Sequence, residues 1–154
     1  MLGCWGHMAT IRRTLLIEAP VAAVYRLARS FDQLPAFVPG LGGDSAGALE
    51  ARIRAGGQTL AWRFVLESAV ENASLSFVSE GDPPVQRMDA TFVTVLGDAT
   101  WSTWTIEVAC ATEQDTARFL TAVSRAASDA LTAFREEAER RAKEPPRERD
   151  ISRS

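Results

Sequence analysis

The sequence predicts an α+β domain in which one strongly curved antiparallel sheet of six or seven strands wraps around a long C-terminal helix, with two short helices after the first strand. Three observations predict it. The hydrophobic period passes from 3.6 residues to 2 near Leu49 and returns to 3.6 near Asp115, which separates a helical start, a run of half-buried strands and a helical end. The longest alternating runs reach about eleven residues, roughly twice the usual strand. A helix over Asp115–Arg141 would run roughly 40 Å and an eleven-residue strand roughly 36 Å, so one helix matches the sheet it lies on.

Taken in order, Ile11–Ile17 is apolar and partly β-branched, a strand that stops at Glu18-Ala19-Pro20. Pro20 suits the first turn of a helix, where its missing N–H costs nothing. Val21, Val24, Tyr25 and Ala28 then recur on one helical face. A second short helical turn is expected over Asp32–Phe37, with Phe31, Leu34 and Phe37 as apolar pegs, before Pro39-Gly40 and Gly42-Gly43 open a loop. Leu49, Ala51 and Ile53 alternate with Glu50, Arg52 and Arg54, and Gly56-Gly57 marks a turn. Leu60, Trp62, Phe64 and Leu66 alternate with Ala61, Arg63, Val65 and Glu67 in the clearest strand of the chain. Leu75 and Phe77 mark a shorter strand that ends at Asp82-Pro83-Pro84. Val85–Leu96 carries Met88, Ala90, Phe92 and Thr94 on one side, and Gly97-Asp98 signals a hairpin. The last strand, Ala99–Cys110, sets Ser102, Trp104, Ile106, Val108 and Cys110 against Trp101, Thr103, Thr105, Glu107 and Ala109. The long helix starts near Thr112 or Gln114-Asp115, with acidic residues in its first turn where they suit the dipole. Its inner stripe is Phe119, Val123, Ala127, Ala130 or Leu131, and Phe134.

The 154 residues fit one domain over residues 9–143, and 46% hydrophobic with 24% charged residues is an ordinary globular balance. Residues 1–8 are expected to lie outside the fold as a disordered leader or a cloning remnant: Gly6-His7-Met8 resembles a cloning scar before an initiator methionine, and an upstream native start would look the same. Residues 144–154, EPPRERDISRS, read as a disordered tail. A net charge of −3 argues against a nucleic-acid partner. The one histidine, His7, falls in the leader, so no imidazole is on offer for a Ser-His-Asp or Cys-His hydrolase, and no metal site is expected. Cys4 and Cys110 are far apart with no CxxC spacing and read as a tail thiol and a buried thiol. No membrane span or targeting segment is visible, and a cytoplasmic location is expected.

The segments Ile17-Glu18-Ala19-Pro20-Val21-Ala22-Ala23-Val24-Tyr25 and Phe31-Asp32-Gln33-Leu34-Pro35-Ala36-Phe37-Val38-Pro39, together with the order of elements, resemble the START and birch-pollen-allergen superfamily (SRPBCC). The two motifs cover about a sixth of the chain and are structural ones. The resemblance implies a helix-grip fold, and in length the chain is most similar to the short bacterial polyketide cyclase/dehydrase and lipid-transport branch. It implies no cofactor. The aromatase/cyclases of that branch are thought to use an arginine after a W-x-(aromatic) segment. Here that segment is Trp62-Arg63-Phe64 and the expected position falls near Ser68, a departure from the pattern.

One helix about 10 Å across covers only part of a wide concave sheet, and its central turns carry Ala126, Ala127 and Ala130 where a filled core would want bulk. A hydrophobic cavity between mid-helix and sheet is therefore expected. Its predicted sheet walls are Leu60, Trp62, Phe64 and Phe77 with Met88, Phe92, Trp104 and Ile106; its predicted helix wall is Phe119, Val123 and Ala127. Tyr25, Asp32, Asp89 and Ser102 are the polar candidates for acid-base work there. Arg63 is out of phase with Trp62 and Phe64 and should face solvent, and Trp101 should face outward, a candidate contact for a homodimer. The expected activity is cyclisation or dehydration of an apolar polyketide-type intermediate, directed largely by cavity shape. The alternative is a non-catalytic carrier of a lipid, quinone or similar small hydrophobic molecule.

Overall fold

In the computed structural model, which describes residues 7–43, 48–55, 57–81 and 83–144, seven strands form one sheet. They are β1 (His7–Ile17), β2 (Leu41–Gly43), β3 (Ala48–Ala55), β4 (Gln58–Val70), β5 (Ser74–Ser79), β6 (Val85–Val95) and β7 (Ala99–Cys110). Their order is β1-β7-β6-β5-β4-β3-β2 and every neighbouring pair is antiparallel. β1 and β2 thus lie at opposite edges, and the chain between them crosses the open end of the sheet as helix α1 (Val21–Ala28) and a 3-10 turn (Leu34–Ala36). Helix α2 (Glu113–Lys143) lies on the concave face against β1, β3 and β7.

The alternation read from the sequence holds across strands as well as along them. Leu66 pairs with Phe77, Phe77 with Met88, Met88 with Ile106 and Ile106 with Ile11, which makes one apolar row across five strands. A register shift between Leu66 and Ser68 marks a bulge in β4. Thr112 caps α2 by accepting from the Asp115 N–H at 3.0 Å, and the buried stripe runs Phe119, Val123, Ala127, Leu131, Phe134, which selects Leu131 over Ala130.

Two boundaries differ from expectation. His7 and Met8 pair with Cys110 and Ala109, so β1 begins inside the presumed leader. Cross-strand hydrogen bonding with β7 imposes the extended form there, and no side-chain pattern announces it. Leu41–Gly43, expected as loop, is an edge strand on β3, invisible to periodicity because glycines carry no side chain to alternate. Gly40 leads into it with φ +82 and accepts the Arg52 N–H at 2.8 Å; a Cβ there would stand 2.9 Å from the Arg52 carbonyl oxygen. Residues 1–6 and 145–154, and with them Cys4 and most of the expected tail, lie outside the described residues.

The core is aromatic toward the end crossed by α1. Tyr25 meets Phe92 edge-on at 5.6 Å, Phe92 meets Trp104 at 6.1 Å and Trp104 meets Phe134 at 5.9 Å. Phe31, Phe77 and Phe64 continue the contact at 5.7 and 6.1 Å. Each well-set pair adds about 0.5–1.5 kcal/mol beyond the area it removes from water.

Candidate functional site

The seat of α2 decides where the fold stays open. Arg13 points from the concave side of β1 and donates through Nη2 to the Ser124 hydroxyl and through Nε to the Ser128 hydroxyl at 3.4 Å. The helix is tied to the β1 edge on that flank. The opposite flank carries Ala122, Ala126 and Ala130, too short to reach the far strands, and a cleft of about 950 Å³ remains. Trp62 and Phe64 of β4, Met88 of β6 and Ile106 of β7 line its sheet side, and Ala51, Ile53 and Ala55 of β3 continue that wall. Val123 and Ala127 lie on the helix side, where Arg118, Thr121, Arg125 and Asp129 of α2 also line the cleft. Pro39, Gly40 and Leu41 line it next to β3.

Six of the predicted wall residues therefore line the cleft: Trp62, Phe64, Met88, Ile106, Val123 and Ala127. Phe77, Phe92 and Trp104 lie instead in the aromatic packing beneath α1 and Phe134, 1%, 3% and 9% exposed. Leu60 packs half-buried against the core, and Phe119 is buried with the Arg118 guanidinium 5.0 Å over its ring. Strand alternation selects the concave face and cannot tell its filled end from its open end, because that depends on which positions α1 and Phe134 cover. The β3 wall, Ala122 and the Pro39-Gly40-Leu41 segment escaped the sequence reading. Ala51 was the available signal, a small residue on the inward phase opposite Trp62.

The polar candidates are not brought together. Tyr25 is buried in α1 against Phe92, and Asp32 is exposed in the turn after α1. Asp89 lies on the outer face, hydrogen-bonded by Arg87 at 3.1 and 3.2 Å, while Arg87 also reaches Glu67 at 2.7 Å. These bonds to Glu67 and then Asp89 hold the Arg87 guanidinium above its usual basicity. Ser102 is fully buried and accepts the Trp104 indole N–H at 2.7 Å. None of the four lines the cleft. Ser68, where the resemblance would place an arginine, is exposed just beyond the β4 bulge. Arg63 sits opposite Glu50, with Nε 3.9 Å from Glu80.

One residue of the cleft wall carries a buried polar atom that the sequence did not flag. The Trp62 indole N–H is buried and meets no acceptor among the described residues. A donor left so costs about 1–3 kcal/mol. Elsewhere, burial pushes the Cys110 thiol above its usual value, so it stays protonated near neutrality. No group of three or more His, Cys, Asp or Glu side chains among the described residues is placed to hold a metal ion, and no described helix is long and apolar enough to cross a membrane. Trp101 lies on the outer face, 44% exposed, between its register partners Leu16 and Val93.

Comparison with known proteins places the fold. No protein-family model and no curated protein matches the sequence. Among solved structures, the Zhui aromatase/cyclase of Streptomyces sp. R1128 superposes with a TM-score of 0.72 at 17% identity, over 89% of this chain and 97% of that one. The di-domain aromatase/cyclase BexL of the BE-7585A biosynthetic pathway gives 0.62 at 18% identity, over 90% of this chain and 51% of that one, so this chain spans about half of BexL. A START superfamily protein from Mycobacterium smegmatis gives 0.62 at 16% identity, over 90% and 98%. The chain has the START-like helix-grip fold.

Proposed function

We propose that this helix-grip chain binds a small, largely apolar molecule in the cleft between α2 and strands β3, β4, β6 and β7. The observation that carries the proposal is the cleft itself. Its volume of about 950 Å³ sits at the upper end of the roughly 300–1,000 Å³ of small-molecule sites. Its walls are mostly apolar, and the alanines of α2 hold it open where leucines would close it. Binding would remove Trp62, Met88, Ile53 and their neighbours from water at about 25 cal/mol per Å² of apolar surface.

The test is equilibrium binding of a neutral fluorescent naphthylamine, N-phenyl-1-naphthylamine, to the intact chain. We expect one saturable site, lost on Ala126→Trp with the circular dichroism spectrum retained, because Ala126 is half-exposed and its replacement would fill the cleft without displacing core. Absence of binding, or equal binding by the variant, overturns the proposal.

A second reading is favoured by two of the fold neighbours, since both the Zhui protein and BexL are aromatase/cyclases. A poly-β-ketone is a largely apolar chain of a size such a cleft accommodates. Holding a poly-β-ketone folded in the cleft would direct ring closure through proximity, worth up to about 7–11 kcal/mol when the reacting atoms are well set. This reading expects a ring-closed product to form faster with the chain than without it and no faster with the Ala126→Trp variant; equal rates with and without the chain would end it.

A further inference from the structure

We infer that the outer face of β1, β7 and β6 binds a second copy of this chain, about a two-fold axis that runs along β7. The inference is independent of the cleft, which lies on the concave side of the sheet. Outward positions over a solvated sheet face are normally polar, and on these three strands one row breaks that rule. Leu16 pairs with Trp101 and Trp101 with Val93, and the three are 41%, 44% and 58% exposed. Leu96 stands in the adjoining hairpin turn at 96%. At usual side-chain sizes the four offer roughly 500 Å² of apolar surface, enough to mark a contact site. A standard interface removes roughly 800 Å² from each partner, somewhat over half of it apolar, so this patch would supply the apolar part of one.

The surroundings of the patch select the same chain as the partner. The next row on that face is Thr14, Thr103 and Thr91, neutral and β-branched, with the Thr14 and Thr103 hydroxyls 3.1 Å apart. The row after it is Arg12, Thr105 and Asp89, a cation and an acid on opposite sides of β7. A two-fold axis along β7 lays β1 of each copy over β6 of the other. Leu16 then meets the partner's Val93, Trp101 meets the partner's Trp101, and Arg12 meets the partner's Asp89. Arg12 forms no ion pair of its own among the described residues, and Asp89 keeps a third of its side chain exposed beside Arg87. A partner surface of a single sign would be repelled by one end of this row, whereas a second copy satisfies both ends. Because the sheet curls and twists, contact is confined to these three strands, with the two faces roughly 30° from aligned. Pairing along the free edge of β1 suits the residues less, since the antiparallel register that sets Met8 beside the partner's Leu16 also sets Arg12 beside the partner's Arg12.

The experiment is sedimentation equilibrium of the intact chain over the micromolar range, up to roughly 300 μM. We expect the mass to rise with concentration to twice that of the 16.7 kDa chain. Trp101→Lys should hold it at the monomer with the circular dichroism spectrum retained, because Trp101 is already half-exposed. Should that variant fold poorly, Val93→Lys, at a more exposed position of the same row, serves the same end. Arg12→Glu and Asp89→Lys should each weaken association about tenfold, two surface pairs being turned repulsive. Their one-to-one mixture should associate as the unaltered chain does, since each position 12 then faces an opposite charge at position 89 of the other copy. Trp101→Lys should also bind the neutral naphthylamine as the unaltered chain does, which keeps this test apart from that of the cleft. A chain monomeric throughout the range overturns the inference, and so does a dimer that survives both lysine variants. A dimer lost on Trp101→Lys, but whose charge variants do not recover on mixing, overturns the two-fold along β7.

Discussion

Ser102 shows how a polar side chain on an inward strand position acquires a structural task. Its hydroxyl accepts the Trp104 indole N–H at 2.7 Å where both residues are buried, and removing it would leave that donor without an acceptor. Ser102→Ala should therefore cost about 1–3 kcal/mol in denaturant unfolding with the fluorophore affinity unchanged. Lost binding at wild-type stability would instead make Ser102 a ligand contact. Tyr25, Asp32 and Asp89 divide in the same way, each placed by a local partner or by solvent and none beside the cleft. The Trp62 indole is the converse case, a buried donor with no acceptor among the described residues.

Helix α2 carries its own electrostatic support at the end away from the cleft. Glu137 accepts from Arg140 and Arg141 at 2.5 and 2.7 Å, and these two bonds, Arg140 first, hold its carboxyl down to about 2. A carboxylate bound more tightly by its partners in the folded chain than in the unfolded one stabilises the fold above its ordinary value near 4.5, and the contribution disappears as pH falls from there through about 2. Glu137→Gln should thus lower Tm near neutrality, and the gap to wild type should close across that window. A gap that persists at pH 2 would mean the side chain acts through packing. The same helix contributes Arg141 to the turn after α1, donating to the Gln33 amide oxygen at 3.0 Å and lying 5.6 Å over Phe37. Together with Arg13 bonded to Ser124 and Ser128, this fastens the helix at its end and along one flank, and the alanine flank stays unfastened over the cleft.

Across the whole molecule the concave face divides into a filled end and a hollow flank, and the two should respond differently to substitution. Phe92, 3% exposed between Tyr25 and Trp104, belongs to the filled end. Phe92→Ala should cost about 3–5 kcal/mol of stability while the surviving folded protein keeps its fluorophore affinity, the reverse of Ala126→Trp. Loss of binding in a still-folded Phe92→Ala protein would show that one cavity runs through both regions. The sequence by itself determined the strands from Leu49 to Cys110, α1, the inner stripe of α2 and the inward phase of each strand, because periodicity is a local property written in neighbouring residues. It also marked the alanine turns of α2, and with them the existence of a hollow. Which inward aromatics face that hollow and where its mouth lies were decided by the tertiary structure. Those facts depend on the lateral seat of one helix, set by Arg13 and two serines more than 110 residues away, and on α1 covering one end of the sheet, contacts between segments that no local pattern records.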